Sequence, residues 1–237
     1  MIKTQGLHIG YSESILSVDD LNLNSGVHIL IGRNGSGKST FLKTLAGQLP
    51  KIEGSIKIQN KEVSAISIEE LPKIISFVSS QFPIVEFLRV SEFVGLGRNP
   101  HTNFFGKKKA EDIEAIDAAL ETLGISYLRD RFTSELSDGE KQLVSIAKAL
   151  TQETAIIALD EPTAFLDYSN KKLVLEKLVA IGQEFNKCIL LSSHDLDLSL
   201  DVNCPFLVIE DTSKTIRFIE PEISKSELIK IAFEQPN

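Results

Sequence analysis

The chain has 237 residues, 42% of them hydrophobic and 24% charged, with a formal net charge of −8 and an isoelectric point near 5.1. That length gives ample core for one large domain or two lobes, and the acidic balance argues against a broad nucleic-acid surface. The longest apolar runs, "AIIAL" and "VHILI", fall far short of the ~20 residues a membrane-spanning helix needs, and the N-terminal "MIKTQGLHIGYSES" lacks the apolar core of a secretory signal.

In chain order, residues 1–9 and 15–31 read as short strands with turns, and "VHILI" (27–31) as a fully buried strand. The run "GRNGSGKST" follows, then a helix through "FLKTLAG" that stops at Gly47. Strands "SIKIQ" and "ISFVSS" come next. From about residue 88 the pattern turns helical, with "VSEFVGLG" and then "AEDIEAIDAALETLG". In the second of these Ile113, Ile116, Leu120 and Leu123 line one face and Gly124 ends it. A further helix opens at "SELSDGE", where Ser137 and Glu140 form a capping box, and closes near Thr151. Alternation then resumes through "AIIALD", "KKLVLEKLVAIGQEF", "CILLSS", a short helix, "FLVIE", a turn at "DTSK" and "IRFIE". A last helix is capped by Ser224 and Glu227. Strand–helix alternation with buried strands predicts an α/β fold around a largely parallel sheet. The nucleotide-binding core then comprises 1–87 and 154–237, split by a helical subdomain over 88–153. Cys188 and Cys204 have neither zinc-ligand nor C-x-x-C spacing, so a reducing cytoplasm is the simplest setting and Cys188 reads as a buried strand thiol.

Gly32–Arg33–Asn34–Gly35–Ser36–Gly37–Lys38–Ser39 fits the phosphate-loop pattern, and it has the strand before it and the helix after it that the pattern requires. Glycines let backbone N–H groups turn onto phosphate oxygens, and the following helix presents its positive end. Lys38 would reach the β- and γ-phosphates and the Ser39 hydroxyl would ligate magnesium. "AIIALDEP" is an apolar strand ending in two carboxylates. Asp160 suits a magnesium shell, and Glu161, one residue beyond, suits the polarisation of an attacking water. His194 ends a third apolar run, "ILLSSHD", and strand ends of this kind line ligand crevices.

Taken together and in order, these residues resemble the ATP-binding subunit of ABC transporters. The most diagnostic element is "LSDGE", which is similar to that family's LSGGQ signature. The resemblance implies a P-loop NTPase core of ABC ATPase type: a mainly parallel sheet with N-terminal antiparallel strands and a helical subdomain. It implies ATP and Mg2+ as ligands, with Gly32 to Thr40 around the phosphates, Tyr11 stacked on adenine, and Gln81 touching magnesium and the attacking water. Ala164–Phe165–Leu166–Asp167 corresponds to the loop that pairs across a head-to-tail homodimer, and His194 to the switch histidine at the γ-phosphate. Ser137 and the Gly139 backbone would face the nucleotide of the second copy. Further implied partners are integral-membrane permease subunits and, indirectly, a substrate-binding protein, with the chain at the cytoplasmic face of the membrane and no role for nucleic acid.

Two positions depart from the signature. Glu140 in place of glutamine keeps the capping box. Asp138 replaces a glycine and puts a carboxylate near a triphosphate unless it turns to solvent, while complementing its own helix dipole by ~0.3–1 kcal/mol. "VSEFVGLGRNPH" (90–101) resembles the ATPases of importers for iron–siderophore complexes, haem and cobalamin, with Arg98 read as a surface residue. On that resemblance the permease docks on residues 82–105, where Phe82, Phe87, Phe104 and Phe105 are expected to be partly exposed. A soluble ABC ATPase, for instance in iron–sulfur cluster assembly, carries the same motifs and stays open as an alternative.

Overall fold

The computed structural model describes residues 1–82, 87–102 and 108–233. Among them, eleven strands form one sheet. The parallel part is β4 (Gly26–Ile31), β9 (Cys188–Ser193), β8 (Ile156–Leu159) and β7 (Ile75–Val78), side by side in that order, with β10 (Phe206–Ile209) on the other side of β4. The antiparallel part is N-terminal: β1 (Ile2–Gly10) pairs with β2 (Ser14–Val18), β3 (Asn22–Leu23) and β5 (Lys51–Ile58), and β6 (Lys61–Glu62) lies at the edge. Sequence did not foresee how the two parts join. β11 (Thr215–Ile219) is antiparallel to β10 yet parallel to β2, so it stitches them into one sheet.

Both faces of the central strands are covered, which is why they read as unbroken apolar runs. Leu30, Ala158 and Leu190 point to the side of α1 (Lys38–Leu45), where Phe41, Leu42 and Leu45 are fully buried among residues of β1 and β5. Their neighbours Ile31, Leu159 and Leu191 point the other way, toward the helices between β7 and β8 and toward α5 (Tyr168–Glu184). Those helices are α2 (Val90–Val94), α3 (Ala110–Leu123) and α4 (Asp138–Thr151), with a 3-10 turn over Gly95–His101. Val90, Phe93, Ile116, Leu120, Val144 and Ile146 are buried in the same cluster as the sheet residues, so the helical segment has no separate core. α6 (Leu196–Asp201) and α7 (Lys225–Phe233) complete the chain, and Ser224 and Glu227 form the predicted box, the Ser224 hydroxyl donating to the Glu227 carboxylate at 2.6 Å.

Two expectations fail in detail. The buried stripe of α3 runs through Asp112, Ile116, Ala119, Leu120 and Leu123, leaving Ile113 46% exposed. Asp112 takes the inward place because Arg98 is there to receive it. Arg98 is accordingly no surface residue. It is buried, its Nε donating to Asp112 at 2.8 Å and its Nη1 to Glu153 at 2.5 Å and the Thr151 carbonyl at 2.9 Å. This one side chain ties the 3-10 turn to α3 and to the C-terminal end of α4, where a cation also offsets the helix dipole. Burial alone would lower its pKa, and the two carboxylates more than reverse that.

Candidate active site

Three parallel strands end side by side. β4 leads into the phosphate loop, β8 into Asp160 and Glu161, and β9, which lies between them, into His194. The register sets Ile31 opposite Ser193 and Leu159 opposite Leu191, so β4 and β9 end level while β8 stops short of them and its two carboxylates continue alongside the end of β9. Crevices at the carboxyl ends of parallel strands are where open α/β sheets bind ligands.

The loop is shaped by glycine. Gly35 and Gly37 adopt φ of +77° and +105°, the left-handed region that glycine enters without steric cost. At Gly37 a Cβ would also lie 2.5 Å from Leu16. No side chain caps α1 at Gly37, which leaves the first N–H groups of the helix free to receive an anion. Lys38 is only 5% exposed, and its Nζ donates to the carbonyls of Gly32 (2.9 Å) and Arg33 (3.1 Å). Burial pushes its pKa down, and Glu161 and Asp160 pull it part of the way back. The Ser36 hydroxyl is buried with no hydrogen-bond partner among the described residues. A ring of donors with one buried cation fits a polyphosphate. Ser39 is half-buried and Thr40 buried at the start of α1. Asn34 is exposed at the loop's tip. The side chain of Arg33 turns away from the loop to Asp211, at 2.6 Å. Asp211 also receives Lys214 at 2.6 Å, and these two bonds hold its carboxyl below the usual range.

Asp160 is buried, and its Oδ1 accepts the Ser192 hydroxyl at 2.8 Å. Glu161 reaches across the crevice, its Oε1 4.0 Å from Lys38 Nζ and its Oε2 3.8 Å from His194 Nδ1. The fold thus gathers Lys38, Asp160, Glu161 and His194. Ser192 was not read from the sequence as part of this group, and its only signal was a hydroxyl inside an apolar strand. Tyr11 is 65% exposed just after β1. Gln81 is exposed beyond β7, its backbone N–H donating to Ser79 Oγ at 3.3 Å.

The α4 terminus is a different kind of surface. Ser137 Oγ accepts from the Glu140 N–H at 3.3 Å, while the Ser137 N–H and hydroxyl both donate to Glu140 Oε2 at 2.9 Å. Burial pushes Glu140 up, but those bonds and Arg131 outweigh it and hold the carboxyl below its ordinary range. Asp138 turns to solvent, its side chain 71% exposed and 3.1 Å from Lys141. A Cβ on Gly139 would lie 3.1 Å from Leu166 and 3.5 Å from the Phe165 carbonyl, so the glycine admits the loop after Glu161 against the helix start. Asp167 caps α5, accepting from the Asn170 N–H at 2.8 Å. Among the described residues no hydrogen bond or ion pair joins Ser137 or Gly139 to the phosphate loop.

A family model described as ABC transporter matches residues 17–164, well over half of the chain. The chain belongs to that family. It is an ABC ATPase. The iron(3+)-hydroxamate import ATP-binding protein FhuC of Bacillus subtilis is 35% identical over 83% of this chain and 74% of its own. The ferric enterobactin transport ATP-binding protein FepC of Escherichia coli is 31% identical, over 85% and 74%. A dimeric structure of a bacterial ABC transporter cassette superposes with a TM-score of 0.79 at 25% identity, covering 94% of this ABC ATPase and all of that cassette.

The surface expected to meet a permease is partly visible. Phe87 is 84% exposed. Phe82 is half-buried, its ring 4.9 Å from that of Phe93 on α2. Phe104 and Phe105 lie outside the described residues. Among those described, no helix is long and apolar enough to cross a membrane.

Proposed function

We propose that this ABC ATPase powers an importer of a metal chelate of the iron–siderophore class, bound peripherally to membrane permease subunits at the cytoplasmic face, with a substrate-binding protein delivering the cargo. The hydrolytic reading is carried by one observation: Lys38, Glu161 and His194 converge across three adjacent strand ends. Glu161 is the base that polarises the attacking water, Lys38 holds the terminal phosphates, and His194 senses the γ-phosphate. Tyr11 stacks on adenine, and the loop residues Gly32 to Thr40 enclose the phosphates. Ser39, Gln81 and the buried Asp160 offer the hard oxygen donors that Mg2+ prefers, and the ion when bound neutralises charge on the phosphate oxygens. Ser137, Gly139 and Asp167 serve a nucleotide held by a second copy packed head to tail. This division of labour supports reading 1–87 and 154–237 as the core and 88–153 as a helical subdomain.

The import reading rests on likeness to the hydroxamate and enterobactin ATPases, which favours transport over cluster assembly. Its test is docking. Phe87→Asp, at the exposed start of the 82–105 surface, should abolish chelate uptake while ATP hydrolysis by the free subunit stays within twofold. Normal uptake by the variant would move the permease contact elsewhere. Purification of the chain from its host without any membrane subunit would favour the soluble alternative.

A further inference from the structure

β9 runs between the phosphate-loop strand and the strand carrying the two carboxylates. Ser192, at its penultimate position, is fully buried. Strands at such a place are filled with apolar side chains, as Leu190 and Leu191 are here, and a buried hydroxyl is tolerated only when its bonds are made. The Ser192 hydroxyl makes two, both to the catalytic pair. Its hydrogen goes to Asp160 Oδ1 at 2.8 Å, and its oxygen accepts the backbone N–H of Glu161 at 2.8 Å. Glu161 needs such a tie. It has φ of +49°, a left-handed conformation that a non-glycine residue holds only when its surroundings impose it. That turn aims the carboxylate back over the sheet, toward Lys38 and His194.

We infer that Ser192 is a positioning residue for ATP hydrolysis, one hydroxyl that fixes the side chain of Asp160 and the backbone turn of Glu161 together. The inference rests on the roles proposed above for those two carboxylates. Neither His194 nor Lys38 can substitute for it, because both meet Glu161 only at its carboxylate, whereas Ser192 holds its main chain. Loss of the hydroxyl leaves a buried carboxylate oxygen and a backbone N–H without this partner, at the two residues whose geometry sets the rate.

The test compares Ser192→Ala with Ser192→Thr, which keeps the hydroxyl, in the 237-residue chain, with Glu161→Gln as the control. Ser192→Ala should lower kcat at least tenfold and raise the Mg2+ concentration for half-maximal thermal stabilisation by a non-hydrolysable ATP analogue several-fold. Affinity for that analogue in metal-free buffer should stay within threefold of the parent. Ser192→Thr should recover kcat to within threefold even where its added methyl lowers the Tm. Parental kcat and Mg2+ dependence in Ser192→Ala would overturn the inference while leaving Glu161 in place. Equal loss in Ala and Thr, tracking a shared fall in Tm, would reduce Ser192 to packing. Normal turnover by Glu161→Gln would instead remove the catalytic assignment itself, and the positioning role with it.

Discussion

The phosphate-loop crevice and the start of α4 both centre on helix N-termini, yet they are built in opposite ways. At α1 the helix start is left uncapped, and beside it Lys38 is buried on two loop carbonyls and the Ser36 hydroxyl is buried without a hydrogen-bond partner among the described residues. At α4 the helix start is capped by its own Ser137 and Glu140, with Arg131 3.4 Å from the Glu140 carboxylate and the Phe165–Leu166 loop against Gly139. The first site is preorganised within one chain. The second is capped without ligand and, on the proposed reading, would gain its use only when a second copy packs against it. On the proposed reading the helix cap and the phosphate donor are the same hydroxyl at Ser137, which would couple stability and function there, whereas in the crevice they are separable.

The largest effect should come from the crevice. Glu161→Gln should lower kcat by about a hundredfold or more, the lower end of what general-base catalysis contributes, while ATP still binds; single-turnover assays with a binding isotherm would show it. Near-normal turnover would break the contrast at its strongest point. Lys38→Ala should act on affinity instead, weakening ATP by roughly 10–100-fold, since a hydrogen bond to a charged group is worth ~1.5–3 kcal/mol, as read by calorimetry. An unchanged affinity would mean that its buried ammonium serves only the Gly32 and Arg33 carbonyls.

Smaller and mixed effects belong to α4. Ser137→Ala should cost ~0.5–2 kcal/mol of stability through the lost cap and about tenfold in steady-state ATPase of the assembled complex. If stability falls while activity holds, the cap is only structural. Asp138→Gly should be nearly silent. Glycine removes a charge that the exposed side chain already directs to solvent, and it forfeits helix propensity and dipole complementarity of ~1 kcal/mol or less each. A tenfold gain in ATPase, equivalent to ~1.4 kcal/mol in the barrier, would show that the carboxylate turns toward nucleotide once two copies meet.

Local chemistry made much of this protein legible in the sequence. The glycine spacing of the loop, the Ser137–Glu140 and Ser224–Glu227 boxes and the unbroken runs of β4, β8 and β9 each depend on neighbours a few residues away, and the structure has them where the pattern put them. What only the tertiary structure decided are pairings between residues distant in the chain. β11 joins the two halves of the sheet, Arg98 turns inward because Asp112 and Glu153 meet it, and the Arg33 side chain pairs with Asp211. Ser192 finds Asp160 and Glu161 only because β9 is laid beside β8. A buried charge or hydroxyl is admitted to the core by the partner that meets it there. Periodicity records which positions face inward, but not which strand or helix will supply that partner.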